Sequence, residues 1–318
     1  NRPGTQFITE VKTSANVTRL LPFVFNSDQT YCLEFGDKYM RVIRDGAVVS
    51  TGTVAAYGGA TPYVIGDLVL SSSVNYYCIQ AGTGQTPVSS PTYWYPLTGS
   101  IYEIPTAYDK TDLFGLKYIQ SADVVTLTEP TYAPRELTRS AHTNWILSAI
   151  SFVPGVTTPT TVAVTGTAGS ATFVYHVTAV DPDTFEESLA GTKSQGSLKV
   201  SSASEPHTIT WTAVSGISQY NVYIEKNGHA SYVGIAGTNS FTNDGITPDF
   251  LESPPTARNP FNTTNKYPSV AAYIQQRLTF ANTNNETEKI WMSRTAIFHN
   301  FTISAPIQAD DAITFNIA

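Results

Sequence analysis

Short runs in which apolar and polar residues alternate recur along this chain, and turn residues separate them. Tyr31–Phe35 reads as a strand, Gly36-Asp37 as a turn, and Lys38–Arg44 alternates with period two. Asp45-Gly46 is a strong hairpin signal, and Ala47–Val49 opens the next strand, so this region is predicted to be an antiparallel meander. Leu116–Gln120, Val124–Thr128 and Asn144–Ser148 are further predicted strands. Pro130 and Pro134 punctuate them, and a residue without an N–H is not expected in a central strand. From 158 to 256 the runs Phe173–Val180, Thr208–Trp211, Gly216–Tyr220, Asn221–Ile224, Ser231–Ile235 and Ser240–Thr242, with an Asn227-Gly228 turn, predict a β-sandwich of about seven strands. Past Pro254-Pro255, strands are predicted at Gln276–Phe280 and Lys289–Ser293, and a turn region at Ala305-Pro306. Ser269–Ala281 is ambiguous, because its Ala, Gln and Arg suit a helix. Val270, Ala272, Ile274, Leu278 and Phe280 all fall on even positions, which predicts one strand, bent along its length.

Residues 57–98 differ in texture. Gly58-Gly59, Thr61-Pro62, Gly66-Asp67 and Gly82–Gly84 enclose two short runs, Leu68–Leu70 and Asn75–Ile79, among Tyr76, Tyr77, Tyr93, Trp94 and Tyr95. So short a segment scarcely builds a core alone and is expected to lean on a neighbour. The predicted architecture is all-β. A scaffold in three pieces (1–56, 99–157 and 257–318) carries a small aromatic-rich insert (57–98) and a sandwich insert (158–256), the latter entered through a Thr/Pro linker at Thr157–Thr161. Exposed loop tips accept such insertions.

Composition narrows the function. Lys and Arg number 18 against 25 Asp and Glu, a net charge of −7, and no basic cluster interrupts the chain. Proteins that grip nucleic acid neutralise phosphates with clustered basic residues, so specific DNA or RNA binding is not expected. An acidic surface does suit DNA sliding past without adhering. Charged residues make up 14% of the chain, low for a soluble protein and in keeping with many strands and tight turns. The two cysteines, Cys32 and Cys78, form no CxxC pair. A thiolate zinc site is therefore not expected, and free thiols are favoured, with a single disulfide left open. No apolar run approaches the roughly 20 residues that cross a bilayer. Residue 1 is Asn and no leader is visible, so the chain is expected to be a fragment or a trimmed product.

Catalytic signatures are scarce. His142, His176, His207, His229 and His299 are scattered, without HExxH or any other metal-ligand spacing. The alternation around His176 is read as placing it, solvated, opposite a Val174/Val180 face. The acidic run Asp181–Glu187 lacks the glycine of a calcium loop and is expected to be a solvated hairpin tip. Asp310-Asp311 is read likewise. There is no GxSxG elbow, Walker loop or GxGxxG fingerprint. A glycosidase carboxylate pair is defined by distance in space, and nothing singles out two candidates. No catalytic, cofactor-binding or metal-binding residue is therefore assigned.

Three resemblances add to this reading. Val64–Val69, Tyr77–Ile79, Pro87 and Trp94 resemble small chitin-binding-type modules, in which exposed aromatic faces stack on sugars. That implies Tyr76, Tyr77, Trp94 and Tyr95 as glycan or partner contacts. The alternative is that Tyr77 and Trp94 form the insert's own small core. Trp211 and Tyr220–Tyr223 are similar to the core Trp and Tyr of fibronectin type III domains. The scaffold is the third case. Arg2–Phe7, Arg19–Phe23, Tyr31–Gly36, Arg44–Gly46, Ile101–Pro105, Gln120–Asp123, Pro134–Leu137, His142–Trp145, Gln276–Leu278, Ile290–Arg294, Asn300-Phe301 and Asp310–Phe315 resemble, in order, the nozzle-type tail proteins (tail tubular protein B class) of short-tailed bacteriophages. The resemblance implies a structural, non-enzymatic virion protein without cofactors, assembled in the bacterial cytoplasm. It implies a partial β-propeller scaffold and copies in a ring, most often six, enclosing the DNA exit channel. Other tail and head-to-tail adaptor proteins would be its partners, the inserts would project outward, and a host-surface glycan is a further candidate. A carbohydrate-binding surface protein and a propeller hydrolase are the alternatives.

Overall fold

Neighbouring strands pair wherever a tight turn lets the chain fold back on itself. The computed structural model, which describes residues 7–191 and 193–317, is built almost wholly in this way. Among the described residues the regular structure is strand throughout, apart from one 3-10 turn at Pro87–Ser89. The sheets are antiparallel and none closes into a barrel. The described residues divide into two compact units. One comprises the chain up to Ile150 with 261–271 and 281–287, the other 151–260 with 272–280 and the chain from 288.

In the first unit Arg19–Asn26, Gln29–Gly36 and Tyr39–Arg44 lie in chain order, and Glu103–Pro105 and Ala47–Val48 both pair with Tyr39–Arg44. The Asp45-Gly46 turn is left-handed at both residues, φ 51° and 74°, as a two-residue hairpin requires. A second meander runs Lys117–Ser121, Val124–Glu129, Tyr132–Ala141, Asn144–Ala149. Pro134 corrects an expectation, because it sits in the central strand Tyr132–Ala141. The ladder is irregular there: pairing passes from Leu127↔Arg135 to Glu129↔Tyr132, so residues 133 and 134 oppose Thr128 alone. A proline is tolerated in such a bulge because no ladder bond needs its missing N–H. Both meanders feed one core. Trp145, fully buried, meets Phe23 and Tyr31 edge-on at 4.8 and 5.3 Å.

Residues 57–98 form two small sheets, Pro62–Tyr63 with Gly82–Thr83, and Leu68–Ser71, Val74–Cys78, Trp94–Pro96. Period two divides their side chains. Val69, Tyr76, Cys78 and Trp94 make a small core of their own, whereas Tyr77 points the other way into the large core. Cys32 and Cys78 are free thiols, half-buried and buried respectively.

The second unit contains seven strands between 160 and 243, in two sheets. Thr160–Thr165, His207–Thr212 and Ser240–Asn243 form one, and Ser194–Leu198, Ala168–Val180, Gln219–Lys226 and His229–Ala236 the other. Phe173, Tyr175, Val177, Ile209, Trp211 and Tyr220 fill the core. His176 also differs from expectation. The buried face of its strand carries the odd residues 173, 175, 177 and 179. His176 shares the other face with Val174 and reaches Glu225 at 3.3 Å. A last meander runs Pro268–Ile274, Arg277–Thr283, Lys289–Met292, Ile313–Asn316. The single bent strand predicted over 269–281 is in fact a hairpin, turning at Gln275-Gln276 with φ 50° and 59°. Neither glutamine is a usual left-handed turn residue, so nothing local marked the break.

Candidate functional site

The loop Asp181–Glu187, expected to be a solvated tip, is partly buried and borders three cavities of the second unit. Asp181 organises it. Its Oδ1 accepts from the amides of Asp183 (2.9 Å) and Thr184 (2.8 Å) and from the Thr184 hydroxyl (3.0 Å). These bonds, Thr184's foremost, hold the Asp181 carboxyl below its ordinary range. Phe185 takes φ 57°. That reversal throws the Phe185 ring outward, 73% exposed, and turns Glu186 inward, 6% exposed.

The two glutamates then face different surroundings. Oε1 of Glu186 accepts from the Gly155 amide (3.1 Å) and from Nδ2 of Asn300 (2.7 Å). Oε1 of Glu187 accepts from Thr178 Oγ1 (2.5 Å), Tyr223 OH (2.7 Å) and Asn221 Nδ2 (3.2 Å). Burial first, then the Glu187 carboxylate, pushes the Tyr223 phenol far up, so it stays a donor. Glu187 also lines a cavity of about 360 Å³ with Glu252, Arg294, Asp310 and the exposed Phe185. Burial, and then Glu187 and Asp249, raise the Glu252 carboxyl. Arg294 is occupied by Asp310 at 2.5 Å and Asp311 at 2.8 Å. Asp311, read from sequence as solvated, is 2% exposed and also accepts from Ser304 and Gln308. The cavity therefore has negative charge without a free arginine to balance it, which suits a cationic group.

The aromatic residues singled out by sequence do not gather on a shared surface. Tyr76, Tyr77 and Trp94 are 8%, 3% and 2% exposed. Trp94 donates Nε1–H to the Gln85 carbonyl at 2.7 Å and meets Tyr63 and Tyr57 edge-on. Tyr77 donates to the Trp145 carbonyl at 2.7 Å. Tyr95 is half-buried, donating to Glu103 Oε1 at 2.5 Å beneath the Lys12 ammonium. The three buried rings leave no open face for a sugar to stack on. Of the histidines, His207 is buried between Tyr175 and the Lys199 carbonyl. His142 meets Tyr31 at 2.6 Å, and burial together with Arg44 and Arg139 lowers its pKa.

Among the described residues no group of three or more His, Cys, Asp or Glu is placed to hold a metal ion, and no helix is long and apolar enough to cross a membrane. Glu186 and Glu187 lay within a run that sequence had flagged as acidic. Nothing local distinguished the inward glutamate from its neighbours, because its donors, Gly155 and Asn300, are distant in sequence. No protein-family model matches the chain, and a search of curated proteins found no match to it.

Proposed function

We propose that this chain is a structural subunit of a short-tailed phage tail, of the nozzle type, whose copies form a ring around the DNA exit channel. One observation carries the reading. Outside the two inserts the strands fall into separate antiparallel sheets that follow chain order at 19–48, 117–149 and 268–316, save that Glu103–Pro105 returns to pair with Tyr39–Arg44 in the first. Blades of a partial propeller have this form, and radial sheets with short edges suit a ring subunit. Most of the scaffold motifs resembling that family fall within these stretches; Ile101–Pro105 includes the strand Glu103–Pro105 of the first sheet, and residues 2–6 of the Arg2–Phe7 motif lie outside the described residues. The seven-strand unit, with Trp211 edge-on to Tyr220 at 5.2 Å, agrees with a fibronectin type III-like insert. Ile313, Phe315 and Ile317 stand exposed on and beside an edge strand, a row suited to burial against a second copy. The net charge of −7 suits a wall that DNA passes without adhering.

Electron microscopy and light scattering of the full-length protein test the proposal. Closed rings are expected, and Phe315→Lys is expected to shift mass toward monomer while leaving the circular dichroism spectrum unchanged. A strict monomer at high concentration, even with neighbouring tail proteins added, overturns it.

A further inference from the structure

We propose that the cleft beside Glu186 binds a primary ammonium group carried on an apolar stem. Glu186 is 6% exposed, yet among the described residues its carboxylate forms no ion pair. Both of its hydrogen bonds fall on Oε1, and Oε2 accepts from no described residue. Oε2 faces the cleft and is open to solvent there, so an arriving donor meets a carboxylate whose other oxygen is already held in place.

The surroundings say what kind of donor fits. Glu186 lines an open cleft of about 560 Å³ whose other walls include Val153, Pro154, Ile297 and Phe298. It also lines a smaller cavity of about 270 Å³, which Gly155 borders as well. Gly155 keeps the approach clear. A β-carbon at that position would stand 3.3 Å from Oε2, and nothing else lies within 4 Å of it. An anion is repelled here. A neutral apolar molecule would cover the walls and leave Oε2 unpaired. A metal ion finds too few oxygen ligands. An ammonium group supplies charge and donors together, and its alkyl stem lies along Ile297 and Phe298. A free alkylamine and a lysine side chain of a peptide share this chemistry.

The 318-residue chain, labelled with 15N, is titrated with hexylammonium chloride and separately with a Gly-Gly-Lys-Gly-Gly peptide, each against sodium chloride at matched ionic strength. Saturable shifts at the Gly155 and Ile297 amides are expected with at least one probe, and the stronger response names the source. Glu186→Gln keeps the Oε1 acceptor and is expected to weaken binding about tenfold or more, as loss of a charge-assisted bond does. Should that variant fail to fold, Val153→Lys decides. Val153 is 44% exposed, and a tethered ammonium there is expected to abolish the response at unchanged melting temperature. No saturable shift with either probe overturns the proposal, as does undiminished binding in folded Glu186→Gln or in Val153→Lys.

Discussion

Glu103 shows how much a single buried charge organises here. It is wholly buried, and its two oxygens divide three partners. Oε2 takes Arg41 Nε at 2.8 Å, while Oε1 takes Lys12 Nζ and Tyr95 OH, each at 2.5 Å. Arg41 is 3% exposed, so withdrawing the carboxylate strands a buried guanidinium. Glu103→Gln is expected to cost about 3–5 kcal/mol in a urea melt, the usual penalty for breaking a buried pair from one side. The tyrosines make a second case. Burial raises the phenols of Tyr77, Tyr95, Tyr102 and Tyr108 well above the ordinary 10.0, and pushes Tyr175 up to about 12. A raised phenol holds its proton more tightly in the folded chain than in the unfolded one. Stability is therefore retained below pH 10 and falls as pH climbs from there through 12. Absorbance at 295 nm should show these phenols ionising together with the loss of near-ultraviolet circular dichroism. Ionisation of all the tyrosines near pH 10, with the fold intact, would contradict this assignment.

Hairpins are where turn chemistry and pairing meet. Asp45-Gly46 and Asn227-Gly228 were legible because their residues enter the left-handed region readily, and both do so. Gln275-Gln276 was not legible. Its strands hold the turn in place although neither residue favours it, as Arg277 donates to the Ser293 and Asp311 carbonyls at 2.6 and 2.5 Å. Gln275→Asn combined with Gln276→Gly is expected to stabilise the protein by about 1 kcal/mol, because left-handed strain is relieved. Differential scanning calorimetry would read this as a higher melting temperature. Gly36 is constrained differently, since a β-carbon there would fall 2.2 Å from the Tyr39 ring. Gly36→Ala is expected to cost about 1–3 kcal/mol by overpacking, together with the bond from Tyr39 OH to Glu34 at 2.8 Å. Strand edges carry a further device. The Gln120 amide donates to the Val24 carbonyl at 2.6 Å and accepts from its N–H at 3.1 Å, imitating a partner strand on an otherwise open edge.

Residues 57–98 and the seven-strand segment differ in how far each stands alone. Residues 57–98 own a core of four buried side chains, Val69, Tyr76, Cys78 and Trp94, and surrender Tyr77 to the larger core. That is too little to fold unaided. The seven-strand segment buries Phe173, Tyr175, Val177, Ile209, Trp211, Tyr220 and Val222 within itself. A 57–98 peptide should therefore show the narrow amide dispersion of an unfolded chain, and a 156–256 fragment the wide dispersion of a folded one. The reverse outcome would mean that the cores are divided otherwise than described.

Period-two alternation and turn residues were sufficient for the all-β class, for the first meander from Tyr31 onward with its Asp45-Gly46 hairpin, and for five of the seven strands between 160 and 243, because strand pairing between neighbours is a local matter. Thr160–Thr165, read in part as linker, and Ser194–Leu198 were not marked. What escaped them depends on groups far apart in the chain. Pro134 enters a central strand only because a bulge opposite Thr128 spares its missing N–H. Glu186 is drawn inward only because Gly155 and Asn300 converge on it from both directions of sequence. A carboxylate looks the same in a sequence whether water or protein receives its charge, and burial is settled by which distant segments pack around it.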